Sequence, residues 1–172
     1  MIKLLLEGRP ASGKTTAVRR IAALLAQAGV PVAGFVTEEL RERGRRVGFA
    51  VESLDGERAT LAHIKLAGPP RVSRYGVDLE AFERVALPAL ERRPAGAVVI
   101  VDELGKMELF SERFRAAVAA LFERDEPVVA TVQAGSHPFT DELKRRADAE
   151  VVRVTAANRD ELPGRVAQRL NA

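Results

Sequence analysis

Apolar residues follow two alternating patterns along the chain, and together these patterns predict an α/β fold. Short runs rich in β-branched residues, such as 97–101 and 127–132, are typical of strands buried on both faces. Around them, apolar residues recur at helical spacing, as at 18–25 and 114–121. Strands that alternate with helices predict a mainly parallel sheet with helices on both faces.

The same pattern predicts an interruption early in the chain. A first strand at 2–6 is followed by a helix that ends at Gly29, before Pro31. Strands are then predicted near 32–37, 47–51 and 58–62 with no helix between them, so residues 32–63 should form an antiparallel insertion after the second strand.

Regular alternation resumes after a loop predicted at 65–77, which is rich in Gly, Pro and Arg. Asp78 is a candidate N-cap for the helix that follows. The remaining predicted elements are helices at 78–91, 111–122 and 140–147, strands at 97–101, 127–132 and 151–154, and a last helix that ends near Leu170.

Length and composition narrow the class of protein. A chain of 172 residues with 47% hydrophobic content predicts a single domain, 1–172. The sequence has no apolar run long enough to span a membrane and no signal-peptide pattern, so we expect a soluble, cytoplasmic protein, and a monomer. With no cysteine and only His63 and His137, a zinc cluster is not expected.

Charge does not favour nucleic acid as a partner, because basic residues are interleaved with nearly as many acids and the net charge is only +3. The one basic cluster is Arg41-Glu42-Arg43-Gly44-Arg45-Arg46, at a predicted hairpin tip. We favour a solvated tip there over a contact with phosphate or RNA.

The strongest chemical signal is the segment 8–15, which fits the phosphate-loop pattern G-x-x-x-x-G-K-[ST] between a strand and a helix. Gly8 and Gly13 let the backbone N–H groups surround a phosphate. Lys14 can reach the outer phosphates, and the Thr15 hydroxyl can bind Mg²⁺. The residues predicted to bind nucleotide here are Gly8, Arg9, Pro10, Ala11, Ser12, Gly13, Lys14, Thr15 and Thr16.

A pair of acids completes the predicted site. Asp102 and Glu103 follow the apolar run 98–101, so they should lie at the same sheet edge as the phosphate loop. There Asp102 can hold Mg²⁺ with Thr15, and Glu103 can orient or deprotonate a water for in-line attack. Lys14 and Glu103 are therefore the candidate catalytic residues, and Mg²⁺ is the expected cofactor.

Further candidates follow other strand ends. Asn158 and Arg159 could meet the base or phosphates, although a cap by Asn158 and a solvated Arg159 fit equally well. Gly105 would allow a tight turn beside the phosphates. An arginine could neutralise charge in the transition state, and the candidates are Arg9, Arg71, Arg74 and Arg159. Tyr75 could stack on a base, but packing at the edge of the core is the favoured interpretation.

Together these motifs resemble a small nucleoside-triphosphatase family, the one that includes the cancer-related nucleoside-triphosphatase. The resemblance extends over nearly the whole chain. Its more specific parts are the Asp-Glu-Leu-Gly-Lys-Met-Glu block at 102–108 and Asn-Arg-Asp at 158–160. It implies a RecA-like P-loop domain that hydrolyses ATP, GTP and other nucleoside triphosphates slowly, with Mg²⁺ and broad base tolerance.

Two positions depart from the family pattern. Ala11 replaces a glycine and fits the loop if its backbone torsions are negative, and Glu7 brings a negative charge close to the phosphates.

Two other functions stay open from the residues alone. One is a nucleotide or small-molecule kinase, with segment 41–46 or 65–77 as a lid, and the other is a nucleotide-dependent switch or RNA-associated module.

Overall fold

The computed structural model describes residues 1–172 and contains nine strands and five α-helices. The strands are β1 Lys3–Gly8, β2 Val32–Glu42, β3 Arg45–Ser53, β4 Arg58–His63, β5 Arg71–Val72, β6 Tyr75–Val77, β7 Val98–Leu104, β8 Val128–Gln133 and β9 Ala149–Arg153. The helices are α1 Lys14–Gln27, α2 Leu79–Glu91, α3 Glu112–Glu123, α4 Pro138–Lys144 and α5 Leu162–Asn171, with a short 3-10 helix at Glu108–Phe110.

All nine strands join one sheet, in the order β5-β6-β4-β3-β2-β7-β8-β1-β9. Strands β2, β7, β8, β1 and β9 are parallel, whereas β2, β3, β4, β6 and β5 pair antiparallel. The predicted α/β fold, with an antiparallel insertion after the second strand, is confirmed. Strand β8 lies between β1 and β7, so the phosphate-loop strand and the strand with the paired acids are not neighbours.

Each face of the parallel strands packs against its own set of helices. Leu4 and Leu6 point to the face covered by α1 and α5, while Leu5 between them points to the face covered by α2 and α3. The side chains of β7 and β8 alternate in the same way. Because both faces are covered, these strands are apolar at consecutive positions, which is the pattern that identified them in the sequence.

Strand β2 connects the two halves of the sheet. Its first residues, 32–35, pair in parallel with β7, and its remainder pairs antiparallel with β3. Gly34 has a φ of 108°, and a Cβ there would lie 1.9 Å from the carbonyl oxygen of Ile100. Only glycine fits this close approach between β2 and β7.

Most predicted ends of helices match the structure. Gly29, with a φ of 78°, follows the end of α1, and the Asp78 side chain accepts a hydrogen bond from Ala81 N at the start of α2. Two predictions were wrong in extent. The loop expected at 65–77 contains the short strands β5 and β6, and α4 ends at Lys144 rather than at 147.

A buried lysine supports the end of α3. Lys3 is 2% exposed, and its ammonium donates to the carbonyls of Arg124, at 2.7 Å, and of Glu126. These carbonyl oxygens provide hydrogen-bond acceptors for the buried ammonium group. Burial lowers the pKa of Lys3. None of the helices has both the length and the apolar character needed to cross a membrane.

Candidate active site

The loop between β1 and α1 is shaped by its two glycines. Gly13 has a φ of 101° at the start of α1, and a Cβ on Gly8 would lie 2.4 Å from the Ser12 hydroxyl oxygen. The loop folds back on itself through a hydrogen bond from Ser12 N to the Arg9 carbonyl, at 3.1 Å. The segment thus forms a tight turn at a helix N-terminus, which suits an anion.

Ala11 does not have the negative backbone torsions that the sequence analysis required for it to fit the loop. Its φ is 62°, so this exposed residue has the left-handed conformation that a side chain disfavours. The reason is the turn itself, which requires a positive torsion where the related pattern has glycine. This loop therefore contains local backbone strain that glycine would remove.

Lys14 is almost fully buried and lies among acceptors. Its Nζ donates to the Gly8 carbonyl at 2.9 Å, to the Val132 carbonyl at 3.2 Å and to Glu103 Oε2 at 2.6 Å. The side chains of this ion pair are 8% and 21% exposed. The structure thus brings together the two candidate catalytic residues, 89 positions apart in the chain.

Asp102 is the buried carboxylate next to the loop. Thr15 Oγ1 donates to its Oδ1 at 3.3 Å, and Thr131 Oγ1 donates to the same oxygen at 2.6 Å. The backbone N–H of Thr37 reaches Oδ2 at 3.4 Å. Burial raises the pKa of Asp102 despite the hydrogen bond from Thr131, and the nearby Glu103 raises it further.

A third acid, Glu108, lies against Glu103. A Cβ on Gly105 would be 2.9 Å from Glu103 Oε1 and 3.0 Å from Glu108 Oε1, so glycine leaves the space that these two carboxyl groups use. Glu108 is 5% exposed. Burial, together with the charge of Glu103, raises the pKa of Glu108 well above its usual value.

The side chains at this point suit a magnesium ion that arrives with a nucleotide. Thr15 and Asp102 place two oxygen atoms within 3.3 Å of each other, and Mg²⁺ prefers oxygen ligands from one or two side chains together with phosphates and waters. The structure has no group of three or more His, Cys, Asp or Glu side chains that could hold a metal ion. The fit thus depends on phosphate as a further ligand.

The structure separates the two residues predicted after β9. Arg159 lies beside the loop, since its Cδ would be 3.3 Å from a Cβ on Gly13. The Asn158 side chain is used inside a turn, where it accepts from Thr155 N at 2.9 Å and donates to the Arg153 carbonyl at 2.7 Å. Of the pair, only Arg159 has its side chain beside the phosphate loop.

Two of the candidate arginines are engaged elsewhere. Arg71 donates to the carbonyls of Leu66 and Arg74, and Arg74 donates to the Arg46 carbonyl and to the Tyr75 hydroxyl. The bond from Arg74 to the Arg46 carbonyl holds the segment 71–75 against β3. Arg9 and Arg159 are thus the two candidates that lie at the loop.

Tyr75 packs as favoured from the sequence, at the edge of the core. It is 4% exposed, its ring contacts Phe49 edge to face, and its hydroxyl accepts from Arg46 Nε at 3.0 Å. Burial opposes ionisation of Tyr75, but hydrogen bonds from Arg46 and Arg74 outweigh it and lower the pKa of the phenol. At the predicted hairpin tip Arg41, Arg43 and Arg45 are exposed, and Arg46, with a side chain 41% exposed, also lies over these two rings.

The charge of Glu7 is compensated. Lys144 Nζ, from α4, lies 2.8 Å from Glu7 Oε1, and the two side chains are 17% and 14% exposed. Sequence reasoning missed this partner because it lies 137 positions away. It also missed Thr131, Thr37 and Glu108 around the paired acids, although Glu108 falls within the 102–108 block that carries the resemblance.

The fold and the site define the class of protein. A phosphate loop after β1, an acid pair at the end of β7 and an intervening parallel strand β8 are the features of a RecA-like P-loop nucleoside triphosphate-binding protein. Comparison with known proteins then gives the family.

A family model described as NTPase matches residues 3–167. The nucleoside-triphosphatase THEP1 of Thermotoga sp. (strain RQ2) is 41% identical over 162 residues, which cover 94% of this chain and 91% of that protein. The human cancer-related nucleoside-triphosphatase is 39% identical over 175 residues, covering 91% and 90%. The crystal structure of THEP1 from Aquifex aeolicus superimposes with a TM-score of 0.87 at 32% identity and covers both chains fully.

The chain therefore belongs to the nucleoside-triphosphatase family. The resemblance inferred from the motifs is confirmed, and so is the P-loop NTPase fold. The prediction of an enzyme, a hydrolase of the nucleoside-triphosphatase type, is confirmed by the same relatives.

Proposed function

We propose that this enzyme hydrolyses nucleoside 5'-triphosphates, ATP, GTP and others, to the diphosphate and phosphate, slowly, with Mg²⁺ and with little discrimination between bases. The observation that carries the proposal is the position of Glu103, a partly exposed carboxylate 2.6 Å from the phosphate-loop lysine and beside the buried Asp102. A carboxylate there is within reach of the terminal phosphate and of the water that would attack it.

In the proposed reaction, the loop N–H groups and Lys14 bind the phosphates. Thr15 and Asp102 would hold Mg²⁺, which supplies charge neutralisation on the phosphate oxygens. Glu103 accepts a proton from the attacking water, a bond forms between that water oxygen and the terminal phosphorus, and the bond to the bridging oxygen breaks. The products are the nucleoside diphosphate and inorganic phosphate.

Broad base tolerance is supported by the residues near the nucleoside end. Both polar groups of the Asn158 amide are used by the backbone of its own turn. The Asn158 amide is therefore not free to recognise the edge of a base.

Slow turnover is supported by the arginines. An arginine that contacts the transferring phosphoryl group is worth about 10³ to 10⁵ in rate. Arg71 and Arg74 donate to the backbone carbonyls of Leu66 and Arg46, and Lys14 itself is shared with Glu103. The site thus lacks a preorganised guanidinium from these two positions.

The test is phosphate release from each of ATP, GTP, CTP and UTP, with Mg²⁺ and with EDTA. We expect release from all four at rates within about tenfold of one another, and none with EDTA. Thr15→Val, which replaces only the hydroxyl with a methyl group, should raise the Mg²⁺ concentration needed for half-maximal rate, whereas Thr60→Val, at an exposed position of β4, should not. Phosphate release that is independent of Mg²⁺ would overturn the metal assignment.

The second candidate function is a P-loop nucleotide or small-molecule kinase. This function predicts that nucleoside triphosphate alone releases no phosphate. When an acceptor is present, the labelled terminal phosphate should be found on the acceptor. The same assay, run with and without candidate acceptors, separates these two results.

A further inference from the structure

A cavity of about 800 Å³ opens from the outer end of the phosphate loop. It begins at Lys14, Thr15 and Glu103 and extends across β3 and β4 to the segment 72–75. A water molecule occupies about 30 Å³, whereas pockets for small organic ligands measure about 300 to 1,000 Å³. The phosphate loop itself lines one end of this space, through Pro10, Ala11, Gly13 and Thr16, so part of the volume belongs to the phosphates and the remainder lies against β3, β4 and segment 72–75.

The position of the cavity identifies the part of the reaction that it faces. Arg159 marks the side of the loop next to β9, whereas Glu103 lies on β7, toward β2 and the antiparallel half of the sheet. Lys14 and Thr15, at the start of α1, lie between these sides and reach the outer phosphates. A bound triphosphate thus directs its terminal phosphate toward Glu103, and the cavity continues beyond that point.

The far wall of the cavity is apolar and aromatic. It includes Phe49, Leu61, Val72, Tyr75 and Met107. The Phe49 and Tyr75 rings meet edge to face with centroids 5.4 Å apart, and Phe49 is only partly buried. A wall of this kind gives nothing to an attacking water, but it binds flat organic rings through burial and stacking.

Arg46 is the cation next to the aromatic residues of this wall, while Arg19, Lys106, Glu38 and Glu39 line other parts of the cavity. The Arg46 guanidinium lies 5.3 Å from the Phe49 ring centroid and 5.7 Å from that of Tyr75. Its acidic partner Glu39, at 3.4 Å, is shared with Arg41, which lies closer at 2.9 Å. Arg46 thus lies over the aromatic pair, where its guanidinium can stack on a ligand ring or pair with an acidic group on it.

We propose that this cavity binds a second substrate, a hydroxyl compound of nucleoside size with a flat ring, and that the enzyme transfers the terminal phosphoryl group to its hydroxyl. The inference rests on the proposed function, because it uses the same phosphate loop and Glu103. The acceptor oxygen bonds to the terminal phosphorus, its proton passes to Glu103, and the bond to the bridging oxygen breaks. The products are the phosphate ester and the nucleoside diphosphate.

The test follows the label of γ-³²P-ATP with Mg²⁺ in the presence of ring-bearing alcohols. The panel contains the four ribonucleosides and hydroxymethyl-substituted aromatic rings, each with and without a carboxylate or phosphate, and glycerol and ribose as ring-free controls. Labelled inorganic phosphate and labelled ester are measured in the same reaction. We expect labelled ester with at least one ring-bearing class and none with the ring-free alcohols.

Variants of the wall give the second measurement. Phe49→Leu keeps an apolar side chain but loses the ring, and should lower the ratio of ester to inorganic phosphate about tenfold, since stacking on one aromatic ring is worth about 1 to 3 kcal/mol. Phe49→Tyr keeps an aromatic ring and should therefore show the wild-type ratio of ester to inorganic phosphate. The control is Phe110→Leu, an aromatic that is 44% exposed outside the cavity, with thermal unfolding midpoints recorded for every variant.

The outcomes separate the two proposals. Phosphate release with no ester, and no slowing of release by any ring-bearing compound, overturns the acceptor proposal and leaves hydrolysis standing. A folded Phe49→Leu variant with the wild-type ratio also overturns it. Neither phosphate nor ester from any nucleotide would overturn the proposed function itself.

Discussion

The buried Lys14 and the partly exposed Glu103 compensate each other's charge at the loop. Their ion pair also receives support from the Gly8 and Val132 carbonyls, which accept from the same ammonium. A triphosphate competes for Lys14, because phosphate oxygens offer more negative charge than one carboxylate. Binding of nucleotide therefore frees Glu103 to act on a water or an acceptor hydroxyl.

The clearest test of Glu103 replaces its charge alone. Glu103→Gln keeps the size of the side chain and its contact with Lys14, so nucleotide should still bind. Turnover should fall by about 10² to 10⁴, the usual worth of a positioned general base. Phosphate release and equilibrium binding of a fluorescent nucleotide measure the two effects. Glu112→Gln is the control, since that side chain is 91% exposed, and unchanged turnover in Glu103→Gln would assign the base to another residue.

Ala11 offers a second test at the scale of one residue. Its φ of 62° costs an alanine about 1 to 2 kcal/mol, which is partly offset by the greater freedom of glycine in the unfolded chain, about 0.5 to 1 kcal/mol. Ala11→Gly should therefore raise the free energy of unfolding by up to about 1.5 kcal/mol. Urea unfolding measures the change, and a loss of stability would show that the turn does not strain Ala11.

Among the elements, strand β2 determines how the two halves of the sheet meet. It pairs in parallel with β7 over residues 32–35 and antiparallel with β3 over the rest of its length. The backbone N–H of Thr37, in the antiparallel part, reaches the Asp102 carboxylate on β7. The same strand thus joins the phosphate-binding half to the wall of the cavity.

Gly34 should be the most sensitive position of that strand. Gly34→Ala places a Cβ 1.9 Å from the Ile100 carbonyl oxygen and requires the left-handed torsion, so we expect a loss of about 3 kcal/mol or more. Gly164→Ala is the matched control in α5, where the new Cβ meets open space. It should gain about 0.5 to 1 kcal/mol. Urea unfolding compares the two, and equal stabilities would contradict the close approach of β2 and β7.

For the whole molecule, the phosphate site connects elements from both halves of the sheet. The loop joins β1 to α1, the acids lie on β7, Thr131 lies on β8 and Thr37 lies on β2. A ligand that binds there contacts the native arrangement of all these elements and has no site in the unfolded chain. Nucleotide should therefore stabilise the molecule as a unit.

We expect a non-hydrolysable ATP analogue with Mg²⁺ to raise the free energy of unfolding by about 2.7 kcal/mol at one hundred times its dissociation constant. Lys14→Ala should abolish this gain, because it removes the cation that meets the outer phosphates. The exposed Lys65→Ala variant should keep it. Thermal unfolding with and without the analogue measures the difference, and a gain retained by Lys14→Ala would contradict the assigned site.

The sequence by itself determined the elements and the phosphate loop, because both depend on neighbours along the chain. Consecutive apolar residues identify doubly covered strands, and the segment 8–15 places its glycines, Lys14 and Thr15 by local turn and helix geometry alone. The position of Asp102 and Glu103 beside the phosphate loop was predicted with one further rule, that the carboxyl ends of parallel strands lie at the same edge of the sheet.

Only the tertiary structure decided the contacts between distant segments. The pairs Glu7–Lys144 and Lys14–Glu103 join residues 137 and 89 positions apart, and strands as short as β5 and β6 carry no periodicity of their own. The positive φ of Ala11 came from closure of the turn. The cavity beyond Glu103 came from the packing of β3, β4 and segment 72–75, since the space between segments is set by their arrangement and not by any one of them.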